Sequence, residues 1–373
     1  MNLTQAAVYQ LEIPLTGAFT SSHGAKSTVP TTLAVVTDES GTIGIGTSDP
    51  SAASKYYSDT ADTFADLQHS VLPKILETQP KSPNELTEVL NQHASVREAY
   101  LAAEMAYLDV FGKRTGQSIS DILGGRLRDV EELNGWVGVG TPEEMVAEAI
   151  EFRDIGFTGL KMKLEGEVAP DLERLQAVCS AVGSDMQVRV DANTAYSVEA
   201  AIEVAKAMES LPITHFEQPI AGEDIDGLQQ ITESTSTTIM ADEAVRTFDE
   251  LLTVLNRGAA DRVKLKIMRL GGIRKADFAI KVADLYGISC VVGHGYCSLP
   301  GQSAEVQVTT ANSNVFQPVE TVGSHKIDEE PFETVHNVGD HSMTLVDAPG
   351  LGVELREDLL DDFVEEAAGI DRA

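Results

Sequence analysis

Residues 159–167 read GLKMKLEGE, and the face on which Lys161 and Lys163 stand decides the architecture. Successive strand residues alternate sides, so positions i and i+2 send both ammonium groups the same way. Taken alone, the pair reads as the solvated face of an edge strand, where lysine blocks edge-to-edge pairing. The spacing of residues further along the chain overturns that reading.

From about residue 131 one unit recurs: a short apolar, β-branched run, a polar residue or two at its C-terminal end, then a helical stretch. The runs are NGWVGVG (134–140), LKMKL (160–164), VRVDAN (188–193), THFEQP (214–219), TIMADEA (238–244), VKLKIM (263–268), SCVVGHG (289–295) and VFQPVE (315–320). Parallel strands need long crossovers, so eight strands alternating with helices predict a parallel (β/α)8 barrel. The intervening helices carry their own signals. Thr141-Pro142-Glu143-Glu144 sets a capping box with proline in the first turn, and SVEAAIEVAKAM (197–208) carries an apolar stripe at helical spacing.

The first ~125 residues follow another grammar, that of an α+β unit. TTLAVVTDESGTIGIGTS (31–48) predicts two strands around a turn, and residues 85–115 are expected to be helical. FTSSHGAKSTVP (19–30), rich in Ser and Gly, is expected to be a mobile lid loop. The chain thus reads as α/β, a modified (β/α)8 TIM barrel at 129–325 behind an N-terminal α+β capping domain at 1–128. A C-terminal segment, 326–373, is expected to return to that cap. A closed barrel has no edge to protect, so Lys161 and Lys163 face its interior.

Catalytic groups of such barrels stand at the C-terminal ends of the strands. There the sequence places Lys163, Asp191, Glu217, Asp242 and Lys266, separated by 28, 26, 25 and 24 residues, one barrel unit each. One carboxylate alone reads as a cap or ion-pair partner. Three converging at one mouth need a cation, and hard oxygen ligands suit Mg2+, with Mn2+ as the alternative ion. Lys163 and Lys266 lie across the barrel from each other. A lysine pushed toward neutrality by burial and by a neighbouring charge such as that of Lys161 serves as a general base. A metal-bound carboxylate has its α-proton acidified and the resulting enediolate stabilised.

AAEMAYLDVFGKRTGQSISDILGG (102–125), KMK (161–163), DAN (191–193), EQP (217–219), ADE (241–243), KIMRLGG (266–272) and PGLG (349–352) occur in this order over nearly the whole chain. In these motifs the sequence resembles the muconate-lactonising-enzyme subgroup of the enolase superfamily. The resemblance implies Mg2+ on Asp191, Glu217 and Asp242, Lys163 and Lys266 as the acid/base pair, and Asn193 orienting a metal ligand. It implies that Lys161 contacts the substrate carboxylate or depresses its neighbour, and that the cap sets specificity through 19–30 and SKYYS (54–58). Racemases, dipeptide epimerases, cycloisomerases and dehydratases share these residues. FQPVETVG (316–323) lacks the Asp-x-Asp pair of dipeptide epimerases, which speaks against that activity. Where the subgroup often has a Glu after the seventh strand, GHGYCSLPG (293–301) offers Cys297, read as a packing residue, and His294. His294 and Glu320 are candidates for substrate contact, and Arg269 for pairing with a nearby acid. A lysine on each face predicts a racemase or epimerase of an amino-acid-like or hydroxy acid, with one-lysine cycloisomerisation or dehydration as the alternative. A non-catalytic binding barrel is disfavoured because all five positions are filled. The expected partners are a small-molecule carboxylate and further copies of the chain.

The balance of 27 Lys+Arg against 59 Asp+Glu leaves a net charge of −32, which repels nucleic acid and anionic membranes. No run of about 18 apolar residues and no basic-then-apolar N-terminal segment occurs, and three scattered cysteines make no disulfide framework, so a cytoplasmic protein is expected. Acidity of this density is tolerable under strong screening and points to a salt-loving source. The thermal midpoint should therefore climb when salt is raised from about 0.1 M to about 1 M, where the screening length shrinks from about 10 Å to about 3 Å. A maximum at low salt would contradict this.

Overall fold

Alternating apolar residues run through three strands, β1 (Leu3–Ser21), β2 (Gly24–Asp38) and β3 (Ile43–Ser48), paired antiparallel in that order. The computed structural model describes residues 1–21, 24–49, 57–184, 186–294 and 297–372, with backbone alone for those of 18–26. Asp38 closes the β2–β3 turn by accepting the N–H groups of Ser40 and Thr42 at 2.8 and 3.0 Å. On the other edge the C-terminal stretch Val364–Asp371 pairs antiparallel with β1. Of the stretch 19–30, expected as a loop, residues 19–21 and 24–30 are extended backbone instead. Its ladder resumes after a register shift between Pro14 and Phe19 and pairs Phe19 with Lys26 and Ser21 with Gly24. A ladder needs only N–H and C=O groups, so poverty in apolar side chains does not prevent it. Residues 22, 23 and 50–56, which include part of SKYYS, lie outside the described residues.

The helical stretch expected over 85–115 is formed by two helices, α1 (Pro83–His93) and α2 (Arg97–Thr115). The break falls where Asp66 accepts the N–H groups of Ser95 and Val96 at 2.8 and 2.9 Å, satisfying donors at the start of α2. Small buried residues of α2, Ala99, Ala102, Ala103 and Ala106, let it press on β3. There Gly46 admits no side chain, since a Cβ would lie 2.2 Å from the Ala102 carbonyl oxygen and 2.5 Å from the Ala106 nitrogen.

The barrel strands are β4 (Gly135–Val137), β5 (Gly159–Lys163), β6 (Gln187–Asp191), β7 (Ile213–Glu217), β8 (Ile239–Ala241), β9 (Arg262–Leu265) and β10 (Ser289–Val292), all parallel and neighbours in chain order. Between them run α3 (Pro142–Ile155), α4 (Val168–Val182), α5 (Val198–Met208), α6 (Ile225–Ser234), α7 (Phe248–Arg257) and α8 (Ile273–Leu285), with α9 (Leu299–Thr310) after β10. Thr141 and Glu144 form the expected capping box at α3. The eighth run, VFQPVE, makes two isolated parallel bridges rather than a ladder, Val315 to Cys290 and Val319 to Leu133. Pro318 between them has no N–H to give. Because the two bridges reach opposite neighbours, the segment still closes the barrel, and Glu320 is fixed by its N–H on the Val292 carbonyl at 3.1 Å.

Cap and barrel are tied by buried acids. Asp49, at the end of β3, accepts the N–H and hydroxyl of Ser298 at the start of α9, at 3.1 and 3.0 Å. Asp109 of α2 accepts the N–H groups of Ile45 and of Leu351 in the PGLG turn. Gly350 there has φ +66 and abuts Asp109, two reasons for glycine. Gly46→Ala should force β3 and α2 apart and cost at least about 1–3 kcal/mol, read as a lowered denaturation midpoint. An unchanged midpoint would show that the contact is slack.

Candidate active site

At the C-terminal ends of five strands, residues two positions apart share the inward face. The inward pairs are Lys161 and Lys163, Arg189 and Asp191, His215 and Glu217, Met240 and Asp242, and Lys264 and Lys266. An acidic centre with a lysine on either side therefore lies above a layer rich in cations.

In the upper layer Asp191, Glu217 and Asp242 are at most 1% exposed. Lys163 Nζ lies 2.5 Å from Asp191 Oδ2 and 2.6 Å from Asn193 Oδ1. Lys266 Nζ lies 2.8 Å from Asp242 Oδ2, and Arg269 Nη1 2.6 Å from Asp242 Oδ1. Lys161 reaches up from below, 2.9 Å from Asp191, 2.6 Å from Glu217 and 3.1 Å from Glu320. The backbone turns sharply after the acids, with φ +43 at Asn193 and +33 at Gln218. Such φ values cost about 1–3 kcal/mol each. The local hydrogen bonds hold them: Asn193 N–H donates to Asp191 Oδ1 at 2.9 Å, and Gln218 Oε1 accepts from Asp242 and Ala244 N–H at 2.8 and 3.0 Å.

These acids ionise unequally. Burial works to raise Asp191, but Lys161 and Lys163 outweigh it and hold the carboxyl well below its usual range. Against the same burial, Arg269 and Lys266 hold Asp242 low. Glu217 is pushed up to about 8 by burial and by the Asp191 charge. Glu243, whose Oε1 accepts Asn193 Nδ2 at 3.3 Å, is pushed up to about 7 by burial, Asp242 and Asp191. Glu217 Oε1 and Glu243 Oε2 are buried without a hydrogen-bond partner. Buried acceptors of this kind call for a donor or a cation.

Below, the carboxylate of Glu320 is held by Lys161, by Lys264 and by Arg189 Nη1 at 3.1 Å. Arg189, 0% exposed, also donates to the Pro318 carbonyl at 2.7 Å. The guanidinium of Arg262 covers Phe316 at 3.6 Å and meets His215 Nδ1 at 2.8 Å. Donor atoms of His215, Glu217 and Glu320 lie within 4.8 Å of one another. A divalent cation at that cluster would face Arg189, Arg262 and Lys264, so it reads as a charge-balancing network. Burial, Arg189 and Arg262 keep His215 well below its ordinary range, hence neutral.

His294, 7% exposed, donates its N–H to Glu305 at 3.2 Å and sets its ring edge-on to Tyr57 at 5.9 Å. Cys297 is buried with Sγ 3.6 Å from the Thr321 hydroxyl, and burial with the Glu305 charge pushes its thiol well up, the state of a packed rather than a reactive thiol. Both line a narrow crevice between cap and barrel, walled by Leu101, Met105, Ile267 and Met268.

Residues 144–359 match the enolase C-terminal domain-like family, and residues 3–124 match the mandelate racemase/muconate lactonizing enzyme N-terminal domain. The chain belongs to the mandelate racemase/muconate lactonizing enzyme branch of the enolase superfamily. Within this superfamily it is 28% identical over 367 residues to the N-succinyl-L-Arg/Lys racemase of Bacillus cereus, covering 97% of this chain and 98% of that one. The crystal structure of that racemase matches with a TM-score of 0.93 at 27% identity, over 99% and 100% of the two chains. The L-Ala-D/L-Glu epimerase of Bacillus subtilis is 30% identical over 320 residues, 84% of this chain and 87% of the epimerase.

The five strand-end residues singled out in the sequence gather at one barrel mouth, with Asn193 among them and Lys161 directly beneath. Sequence reasoning passed over Arg189, His215, Glu243 and Lys264. Three of these stand two residues before a strand-end residue, and VKLK repeats the pattern of KMK, so the signal was present. Glu320→Ala would leave Lys161, Lys264 and Arg189 crowded without their shared counter-charge. The expected loss is about 3–5 kcal/mol by denaturant unfolding, with Glu320→Gln milder. Wild-type stability in the alanine variant would show that the three cations find other partners.

Proposed function

We propose that this protein is a divalent-cation-dependent isomerase that moves the proton α to a carboxylate, racemising an N-acylated amino acid with Lys163 and Lys266. The observation that carries the reading is that these two lysines reach the acidic centre from strands on opposite sides of the barrel, one held at Asp191 and the other at Asp242. The residues fit a divalent cation, for which the two partnerless buried oxygens on Glu217 and Glu243 are the sign. Asp191, Glu217 and Asp242 would hold it, and Mg2+ suits three hard carboxylates that leave room for substrate oxygens. A dipeptide epimerase from Enterococcus faecalis has been crystallised with Mg and a dipeptide, which supports that choice. When bound, the ion supplies positive charge where the substrate carboxylate gains electron density.

The chain's own groups do the rest. Lys161 offers an ammonium between Asp191 and Glu217 to orient the substrate carboxylate. One of Lys163 and Lys266 takes the α-proton as base, and the other, protonated, returns a proton to the opposite face. Asn193 positions Lys163 through its side-chain oxygen and Asp191 through its N–H. An N-acylated amino acid is favoured by the relative that matches 97% of the chain. A free α-ammonium is disfavoured by the cations gathered beside strand eight, where Lys161, Lys264 and Arg189 surround Glu320.

In D2O with Mg2+, N-acyl amino acids should gain α-deuterium and lose chirality, and chelation should stop both. Lys163→Ala and Lys266→Ala should each abolish racemisation by about 10²–10⁴-fold. Each should still exchange the enantiomer whose proton faces the remaining lysine. An unsaturated or lactone product formed without exchange, or full racemisation by Lys266→Ala, would refute the reading.

A further inference from the structure

Lys163 and Lys266 are held in place by different means. Lys163 is the last residue of β5 and pairs in register with Asp191, so the barrel ladder itself fixes its backbone. Lys266 stands one residue beyond β9, whose pairing with β10 ends at Leu265 and Val292. Its carbonyl instead opens a single helical turn, Ile267–Leu270, by accepting the Leu270 N–H at 3.0 Å. A turn this short has no stability of its own and takes its position from whatever grips it.

The grip comes from the cap. Arg97, the first residue of α2, donates from Nη1 to the Arg269 carbonyl at 3.1 Å and to the Arg246 carbonyl at 2.7 Å. One guanidinium thus joins the loop after β9, which carries Lys266, to the loop after β8, which carries Asp242. Two turns further along α2, Glu104 Oε2 accepts the Ile273 N–H at 2.5 Å, at the first residue of α8. Ser48, at the end of β3, donates its hydroxyl to Met268 Sδ at 3.7 Å. The approach of α2 depends on Gly271 and Gly272: a Cβ would lie 3.1 Å from Arg97 Cβ at the first and 2.7 Å from Glu104 Oε2 at the second. The segment from Lys266 to α8 is therefore gripped by the cap along its length. Asp191 and Asn193, which receive Lys163, both belong to the barrel.

We propose that Arg97 and Glu104 are positioning residues for Lys266, so that docking of the cap helix, rather than the barrel ladder, sets the Lys266 half of the acid/base pair. The inference rests on the racemase reading for the role of Lys266. Its consequence is an asymmetry between the two lysines. Without the clamp the Ile267–Leu270 turn is free to shift, and a reacting group misplaced by about 1 Å loses about 100-fold in rate. Lys163 keeps its ladder and its partners.

The asymmetry is read in D2O with Mg2+, on both enantiomers of the best-exchanged member of a panel of N-acetyl and N-succinyl amino acids. The lysine facing the α-hydrogen takes that proton, trades it for solvent deuterium and returns deuterium to the same face, so each enantiomer reports one lysine. Lys266→Ala identifies the enantiomer that depends on Lys266. In Arg97→Met, exchange of that enantiomer should slow by about 10–100-fold, while its mirror image exchanges at the wild-type rate. Arg97→Lys keeps donors near the two carbonyl oxygens and should recover part of the loss. Glu104→Ala should slow the same enantiomer, and Glu104→Gln, which retains an acceptor for the Ile273 N–H, should do so less. The enantiomers are compared within one protein, so partial unfolding lowers both together and does not imitate the result. Equal slowing of both enantiomers in Arg97→Met, or slowing of neither, would overturn the proposal. Failure of the racemase reading registers separately, as no deuterium entering any of the panel in the wild type. Amide hydrogen exchange then decides the clamp: residues 267–274 should exchange faster in Arg97→Met with 159–165 unchanged, and wild-type protection of both segments would overturn it.

Discussion

Glu320 is the one acid on which the barrel interior turns. Its carboxylate meets Lys161, Lys264 and Arg189, and without it three cations from three strands would repel one another in a site that excludes water. A buried charge is tolerable only when paired and hydrogen-bonded. Meeting that requirement also sets the geometry above. Lys161, pinned from below by Glu320, is held between Asp191 and Glu217, and Lys264 stands two residues before Lys266 on the same strand. The lower layer therefore positions the upper one, and the irregular eighth segment that breaks the ladder at Pro318 is what brings Glu320 to the centre.

The same constraint explains the unequal acids. Asp191 and Asp242 each have two cations close by, so both stay ionised against burial. Glu217 has Lys161 on one oxygen and nothing on the other, and Asp191 beside it adds like charge. A centre with two satisfied carboxylates and two under-satisfied ones has the polarity of a cation site, one whose own lysines stand at its rim.

Much of this was legible in the sequence because a barrel repeats. Lys163, Asp191, Glu217, Asp242 and Lys266 recur once per βα unit, and only a closed parallel architecture brings such a series to one face. The lower layer was equally visible in principle, since VRVD, THFE and VKLK carry Arg189, His215 and Lys264 at the inward i−2 positions. Attention to strand ends alone missed them. Which acid they serve was not legible: Glu320 is 159 residues from Lys161 and 56 from Lys264, and its aim depends on two isolated bridges. The strand pairing of residues 19–21 with 24–26 was not legible for a related reason. Its ladder is made by backbone groups, which leave no apolar signature in the side chains.

Surface and interior obey different electrostatic rules here. Exposed carboxylates repel through solvent, and that repulsion weakens as salt shortens the screening length. The Glu320 network and the acidic centre are withdrawn from solvent, so ions in solution screen them far less. A chain of net charge −32 can therefore carry its excess acids outside and still gather lysines and arginines inside its barrel. For an anionic substrate the consequence is directional. At low salt the acidic exterior opposes its approach, whereas the cations lining the mouth attract it once it has entered. Added salt removes the first effect more than the second, because the buried charges are screened less than the exposed ones.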